Sequence, residues 1–339
     1  MSTPEQAPGR SPPSVVVEDP VLGRHAVVEP LLVDLLATRA VRRLQGVHQA
    51  GAAYLVRPGR DASRHEHAVG AMVLLSRFGA SLAEQAAGLI HDVSHTAFSH
   101  VADQVFDNRN ENYHDQLFEK FVLGSEIAAV FERHALVLET VLDVHRWPLL
   151  ERPLPDLCAD RLDYTLRDLW HMGWIDHDEI QSFLAALAVH DSQFVVTDLA
   201  AAVWFTEQYH RAVTKLFMHP VELYANRLLA DAIQAALHRR VLTPTDLLLE
   251  DAHVLDKLRA AGDATITRLL AGLRPGIGVI EDKTRFDIHV FSKARYVDPP
   301  VLVDEDQVIR CSALQQSIKV LHAEVREKAR DGVFVRILG

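Results

Sequence analysis

Apolar residues recur at three- and four-residue spacing through most of the first 240 positions, the period of a helix with one buried face. In 30–44, Leu31, Leu32, Leu35, Leu36 and Val41 form such a stripe and predict one helix. Gly51, Pro58 and Gly59 then mark loop or turn around the apolar run 52–56. Further helices are predicted over 66–78, 114–122, 127–141, 160–170, 180–189, 199–217 and 221–238. The segment 82–91 is apolar almost throughout and reads as a buried helix. Gly173 is a natural stop for the helix before it.

From residue 241 the rhythm changes. Thr243, Pro244 and Thr245 punctuate the chain, with Thr245 placed to cap a helix at Asp246. A helix over 263–273 follows, then short β-like runs at 276–280, 286–291, 307–309 and 334–338. The pattern predicts a mainly α protein: a helical domain over 17–240 and a small α+β region over 241–339. The Pro- and Ser-rich stretch 1–16 reads as a disordered tail.

Composition narrows the function classes. A chain of 339 residues buries a core without covalent staples. Cys158 and Cys311 are its only cysteines, far apart, which suits a reducing cytoplasm and excludes a zinc ribbon. The net charge of −11 disfavours a grip on a nucleic-acid backbone, while leaving room for a local basic pocket. No apolar run approaches the length of a membrane span, and the first residues lack the apolar core of a secretion signal. A cytoplasmic protein is expected.

Nineteen histidines are many for this length. Four His-Asp dipeptides occur, at His91-Asp92, His114-Asp115, His177-Asp178 and His190-Asp191. Adjacent helical residues point about 100° apart, so a pair alone says little. His91-Asp92 differs because it closes the apolar run AAGLI. An imidazole and a carboxylate there are costly to bury unless paired or bound to an ion. His95, His100 and Asp103 follow, making five titratable groups in thirteen residues. Upstream, SRHEHAVG offers His65 and His67, of which His67 is nearer the apolar side of its helix. Downstream, Asp160, Asp163 and Tyr164 share one helical face, although a helix cap explains Asp160 equally well. Two imidazoles and two carboxylates suit a divalent metal. The remaining dipeptides read as an acidic solvated loop and a helix end, and Trp170, Trp174 and Trp204 as core.

The order His67 … His91-Asp92 … Asp160 resembles the HD-domain superfamily of metal-dependent phosphohydrolases. In detail it is similar to the deoxynucleoside triphosphate triphosphohydrolase branch. RRLQGVHQAG (42–51), SRHEHAVG (63–70), LIHDVSHTAFSHVAD (89–103), NYH (112–114) and ADRLDYTLRD (159–168) carry the likeness, which spans roughly 19–231. The resemblance implies an HD helical bundle with His67, His91, Asp92 and Asp160 as metal ligands. It implies one divalent ion (Mn, Fe, Mg, Ni, Co or Zn), with room for a second Mg on the substrate phosphates. Arg64 becomes a phosphate contact. His95, His100, Asp103 and His114 become the acid/base group, with His100 protonating the leaving 5′ oxygen. Gln49, Arg161, Tyr164 and Asp168 line the substrate pocket, with Gln49 and Asp168 reading the 3′ hydroxyl. The implied reaction is metal-activated water attack on the α-phosphate of a dNTP, giving deoxynucleoside and triphosphate. By the same analogy the protein is a homo-oligomer.

The sequence departs from the branch at Ser94, which replaces a glycine, and at Phe217, which replaces a sugar-packing tyrosine. Tyr209 stands where an arginine is expected, leaving Arg211 or Lys215 to grip phosphate. Two other readings remain: a nucleotidase or phosphodiesterase for another nucleotide, and a non-catalytic nucleotide sensor. The presence of the whole ligand set speaks against the sensor.

Overall fold

The computed structural model describes residues 14–338. Residues 1–13 of the expected tail lie outside them, while Val15 and Val16 belong to the first strand. That strand, β1 (Val15–Asp19), pairs antiparallel with β2 (Gly23–Val27) through a turn tied by the Asp19 carboxylate, which accepts from Val21 and Leu22 N–H at 2.9 and 2.8 Å. Helices α1 (Pro30–Ala37) and α2 (Arg39–Arg43) follow. The single helix expected over 30–44 is broken at Thr38, which is extended (φ −65°, ψ 148°) and whose hydroxyl accepts from Val41 N–H, starting a new helix.

The body is built from α3 (Arg64–Arg77), α4 (Leu82–Ile90), the short α5 (Val101–Val105), α6 (Tyr113–Leu123), α7 (Glu126–Arg133), the short α8 (Glu139–Leu142) and α9 (Ala159–His171). The helix expected over 127–141 is interrupted because Ala135 takes a left-handed conformation (φ 52°). After α10 (His177–Ala185) the chain turns into a hairpin, β3 (Leu187–His190) and β4 (Gln193–Val196), so the helix expected over 180–189 ends early and its last residues are strand. Phe194, Val195 and Val196 of β4 are fully buried, which holds the hairpin on the core. Then come α11 (Leu199–Ala212), a π-helical turn over Val213–Phe217, and α12 (Pro220–His238).

Beyond residue 240, α13 (Asp251–Ala260) and α14 (Ala264–Ala271) pack beside α12. The strands β5 (Val279–Glu281), β6 (Ile288–Val290) and β8 (Gln307–Arg310) fall on expected β-like runs, as does the last strand of the chain, whereas β7 (Pro300–Asp304) was not expected. The short α15 (Cys311–Leu314), α16 (Gln316–Asp331) and β9 (Val333–Ile337) close the described chain. The pattern misses α16: only Ile318, His322 and Val325 of its sixteen residues are buried. These late elements share the core of the helical body. β7 joins β4 in parallel through Val196 and Val301, and Val297, Ile318 and Val325 lie in the same apolar cluster as α3, α4 and α9. No helix among the described residues is long and apolar enough to cross a membrane.

The α3–α9 crossing positions everything that follows. Gly70 of α3 faces the Asp163 carboxylate and the Arg167 guanidinium of α9, and a Cβ there would overlap both. Both groups are fully buried, so they have nowhere to retreat. Gly70→Ala is therefore expected to destabilise the fold by about 2–4 kcal/mol despite alanine's better helix propensity. Denaturant unfolding measures this; an unchanged midpoint would refute the packing argument.

Candidate metal centre

The first turn of α3 is set by a capping box. Glu66 N–H donates to Ser63 Oγ, and the Glu66 carboxylate accepts from Ser63 N–H at 2.8 Å. This places Arg64 at the helix start and His67 one turn inside, where its ring is fully buried. Helix α4 ends at Ile90, so His91 and Asp92 leave the helix at the end of a buried apolar segment. The turn after them is held from outside: Arg43 Nη2 donates to the carbonyls of Val93 and His95 at 2.9 and 2.6 Å. Phe98 and Ser99 both adopt positive φ (59° and 51°), a strained pair for non-glycine residues. Asp251 pins the strain by accepting from Phe98 N–H at 2.6 Å, and Ser99 Oγ bridges Arg64 Nε to the His48 carbonyl.

Three segments thus deliver four side chains to one point. His67 Nε2 lies 3.0 Å from Asp160 Oδ1 and 3.6 Å from Asp92 Oδ2. His91 Nε2 lies 3.5 Å from Asp92 Oδ1 and 3.6 Å from Asp160 Oδ1. A divalent ion with bonds of about 2.1 Å separates neighbouring ligand atoms by about 3 Å, so this spacing fits one ion among them.

The ring nitrogens carry the clearest sign. His91 Nδ1 donates to the Gly88 carbonyl at 2.7 Å, which turns Nε2 toward the carboxylates of Asp92 and Asp160. That atom is buried and has no hydrogen-bond partner among the described residues. An unpartnered ring nitrogen beside two carboxylates suits a cation site. His67 is prepared in the same way: Asp163 Oδ2 accepts from Nδ1 at 2.9 Å and turns Nε2 toward the cluster. Asp163 is itself gripped by Arg167 at 2.7 and 3.0 Å, and Arg167 reaches Asp19 at 2.9 Å.

Electrostatics agree. Burial alone would lower the His67 pKa, yet the Asp160 and Asp163 hydrogen bonds and the Asp92 charge lift it to about 10. The carboxylates thus pull strongly on any cation placed there. Burial opposes ionisation of Asp92, but Arg64 and the nearby imidazoles hold its carboxyl well below the usual range. Arg64 Nη1 donates to Asp92 at 2.6 Å.

Beside this point stand three more imidazoles. His95 and His114 stack at 3.8 Å between centroids. Burial and nearby positive charge push His95 well down, and burial with the His100 charge pushes His114 to about 3, so both are neutral. His100 is half-exposed at the rim, and its Nδ1 lies 2.9 Å from Asp103. Asp103 also accepts from Tyr113 N–H at 3.0 Å, locking α5 to α6.

The expected substrate-side residues divide. Tyr164 lies beside the cluster, its ring 6.4 Å from His67 and 6.1 Å from Phe217, and its hydroxyl 3.0 Å from that of Tyr209. Gln49 is half-buried, with Oε1 unpartnered among the described residues. Arg161 is turned to the main chain, donating to the carbonyls of Asp156 and Arg152 at 2.6 and 3.1 Å. Asp168 is buried against Arg60 at 2.9 Å, in a network completed by Glu222, so its carboxylate is already used. Arg211 lies over the Trp174 ring at 4.3 Å and Lys215 is exposed. Among the described residues no hydrogen bond or ion pair of Arg211 or Lys215 reaches the cluster.

The sequence reading left the part played by Asp163 unassigned, although its i+3 spacing from Asp160 was the available signal. It also missed Glu151, which burial and the Asp160 charge push upward.

Residues 64–168 match the HD domain family. The chain is 40% identical to the uncharacterized protein YdhJ of Bacillus subtilis, over 95% of this chain and 99% of that one. It is 31% identical to the metal-dependent phosphohydrolase cns2 of Cordyceps militaris, over 85% of each chain. It is 28% identical to the deoxynucleoside triphosphate triphosphohydrolase SAMHD1 of Danio rerio, over 51% of this chain and 36% of that one. The chain belongs to the HD-domain family of metal-dependent phosphohydrolases, and its His and Asp residues are positioned for a metal site.

If Asp163 orients His67, then Asp163→Asn lowers divalent-metal affinity about 10- to 100-fold without removing a ligand. Calorimetric titration with Mn reads this; wild-type affinity in the variant would refute the role.

Proposed function

We propose that this protein hydrolyses deoxynucleoside triphosphates to deoxynucleoside and triphosphate. The carrying observation is the arrangement of one cation site, Arg64 and the His100–Asp103 pair along a single wall. The likeness to SAMHD1 supports the same reading.

His67, His91, Asp92 and Asp160 would hold the ion. When bound, a divalent ion neutralises phosphate charge and acidifies water. Arg64, fixed between Asp92 and Ser99, presents positive charge beside that point. His95 and His114, held neutral, offer hydrogen bonds to phosphate oxygens without adding charge. His100 stands at the rim, where a leaving 5′ oxygen would depart. Asp103 orients its ring through Nδ1 and stabilises the imidazolium, leaving Nε2–H to donate the proton. Tyr164 and Phe217 form an aromatic wall next to His67, suited to a sugar face.

A second reading, a nucleotide with a shorter phosphate chain, is favoured by one observation. Arg161, Arg211 and Lys215 do not present their charges to the cluster, and Arg60 occupies Asp168.

Purified protein loaded with Mn, Mg, Fe or Co and offered dNTPs, NTPs, monophosphates and cyclic nucleotides is expected to release triphosphate from dNTPs, read by chromatography. Orthophosphate from monophosphates would overturn the proposal in favour of a nucleotidase. His91→Ala and Asp92→Ala are each expected to lose metal binding and turnover. His100→Gln is expected to keep its metal while kcat falls about 10²- to 10⁴-fold. Full turnover in that variant would remove His100 from the acid role.

A further inference from the structure

The irregular segment between β6 and β7 reaches the loop between α5 and α6. Lys293 Nζ donates to the Asn110 carbonyl at 2.5 Å and lies 3.4 Å from the Glu111 carboxylate. Arg295 Nη2 lies 2.5 Å from the same carboxylate. Glu111 sits in the loop between α5 and α6, in the left-handed region (φ 53°), an uncommon conformation that fixes its direction. This loop separates His100 and Asp103 from His114, so it forms the rim beside the proposed acid. The charge of His100 acts on Glu111, and the Arg295 guanidinium acts on the Tyr164 and Tyr209 phenols. The electrostatic reach of Arg295 thus takes in both the acid's rim and the two phenols.

The strap is anchored firmly. Val297 is fully buried and its carbonyl accepts from His322 Nε2 at 2.8 Å. Asp298 N–H donates to the Pro155 carbonyl, and its carboxylate accepts from Ser312 N–H and Oγ at 2.8 and 2.7 Å. The two cations are thus carried by fixed backbone. Among the described residues the Arg295 guanidinium makes one hydrogen bond, through Nη2, leaving Nε and Nη1 free to donate. Two cations meeting one carboxylate leave a surplus positive charge on this loop.

Resting on the nucleotide phosphohydrolase reading above, we propose that Arg295 and Lys293 hold the far end of the substrate's phosphate chain. They supply the grip that Arg161, Arg211 and Lys215 do not direct there. Glu111 is their internal stand-in, an anion that occupies the cations until a phosphate chain displaces or joins it.

The test uses the full chain and inorganic tripolyphosphate in magnesium buffer, titrated calorimetrically. Arg295→Gln is expected to weaken tripolyphosphate binding about ten- to hundredfold, and Lys293→Gln about threefold. Arg295→Lys should restore part of the loss. Glu111→Gln should tighten binding by removing the competing carboxylate, and this variant decides the matter if Arg295→Gln fails to fold. With a dNTP as substrate, Arg295→Gln should raise KM by a similar factor while kcat stays within about threefold, a split that a merely structural role would not give. Tripolyphosphate binding within twofold of wild type in Arg295→Gln, or no effect in Glu111→Gln, would overturn the proposal. So would an absence of tripolyphosphate binding by the wild-type protein. If wild type binds tripolyphosphate in an Arg295-dependent manner but hydrolyses no nucleotide, the strap stands and the nucleotide reading falls.

Discussion

The interaction on which this molecule depends is the hydrogen bond from His67 to Asp163, made inside the α3–α9 contact. It is a bond between two fully buried groups, and a lone carboxylate there would be costly to desolvate. The cost is met by a chain of partners, Asp163 to Arg167 and Arg167 to Asp19 in the N-terminal hairpin. Gly70 lets the two helices approach closely enough for the chain to form. The hairpin, the helix crossing and the ligand's ring orientation are therefore one structural unit, and stability and function are coupled through it.

The cluster concentrates negative charge in a largely buried place. Asp92 is partly balanced by Arg64 and Asp163 by Arg167, whereas among the described residues Asp160 has imidazoles, the Glu151 carboxyl and the Cys158 thiol beside it and no Lys or Arg ion pair. A cation is the missing element of that balance, and the unpartnered Nε2 of His91 points to the same conclusion from hydrogen bonding alone. The neutral His95–His114 stack separates this charged point from the rim, where His100 meets solvent and is backed by the buried Asp103. One wall thus grades from a cation site, through neutral donors, to a titratable acid.

Much of this was legible in the sequence, for reasons that differ by residue. His91-Asp92 stood out because a polar pair ended an apolar helix. His67 was separable from His65 chiefly by its motif, and Asp160 without the family resemblance is a residue of a first helical turn. What tied Asp163 to His67 lies ninety-six residues apart along the chain and is invisible to local spacing. Arg211 and Lys215 were named only as substitutes for the arginine that Tyr209 replaces, and their surroundings were not legible. A π-helical turn over Val213–Phe217 alters the register before Lys215, and a cation–π contact with Trp174 claims Arg211. The strap carrying Lys293 and Arg295 has no periodic pattern, so only its tertiary crossing reveals it. The β3–β4 hairpin was missed because each strand is only four residues long, and α16 because few of its residues carry the buried signal that periodicity detects.

The central claim is that four side chains converge on one divalent ion. Anomalous diffraction from a crystal of the full chain grown with Mn tests it most directly. The account predicts one strong peak bonded at about 2.1–2.2 Å to His67 Nε2, His91 Nε2 and carboxylate oxygens of Asp92 and Asp160. A peak held instead by Glu151 and Cys158, or no peak between the two imidazoles at full Mn occupancy elsewhere, would contradict it.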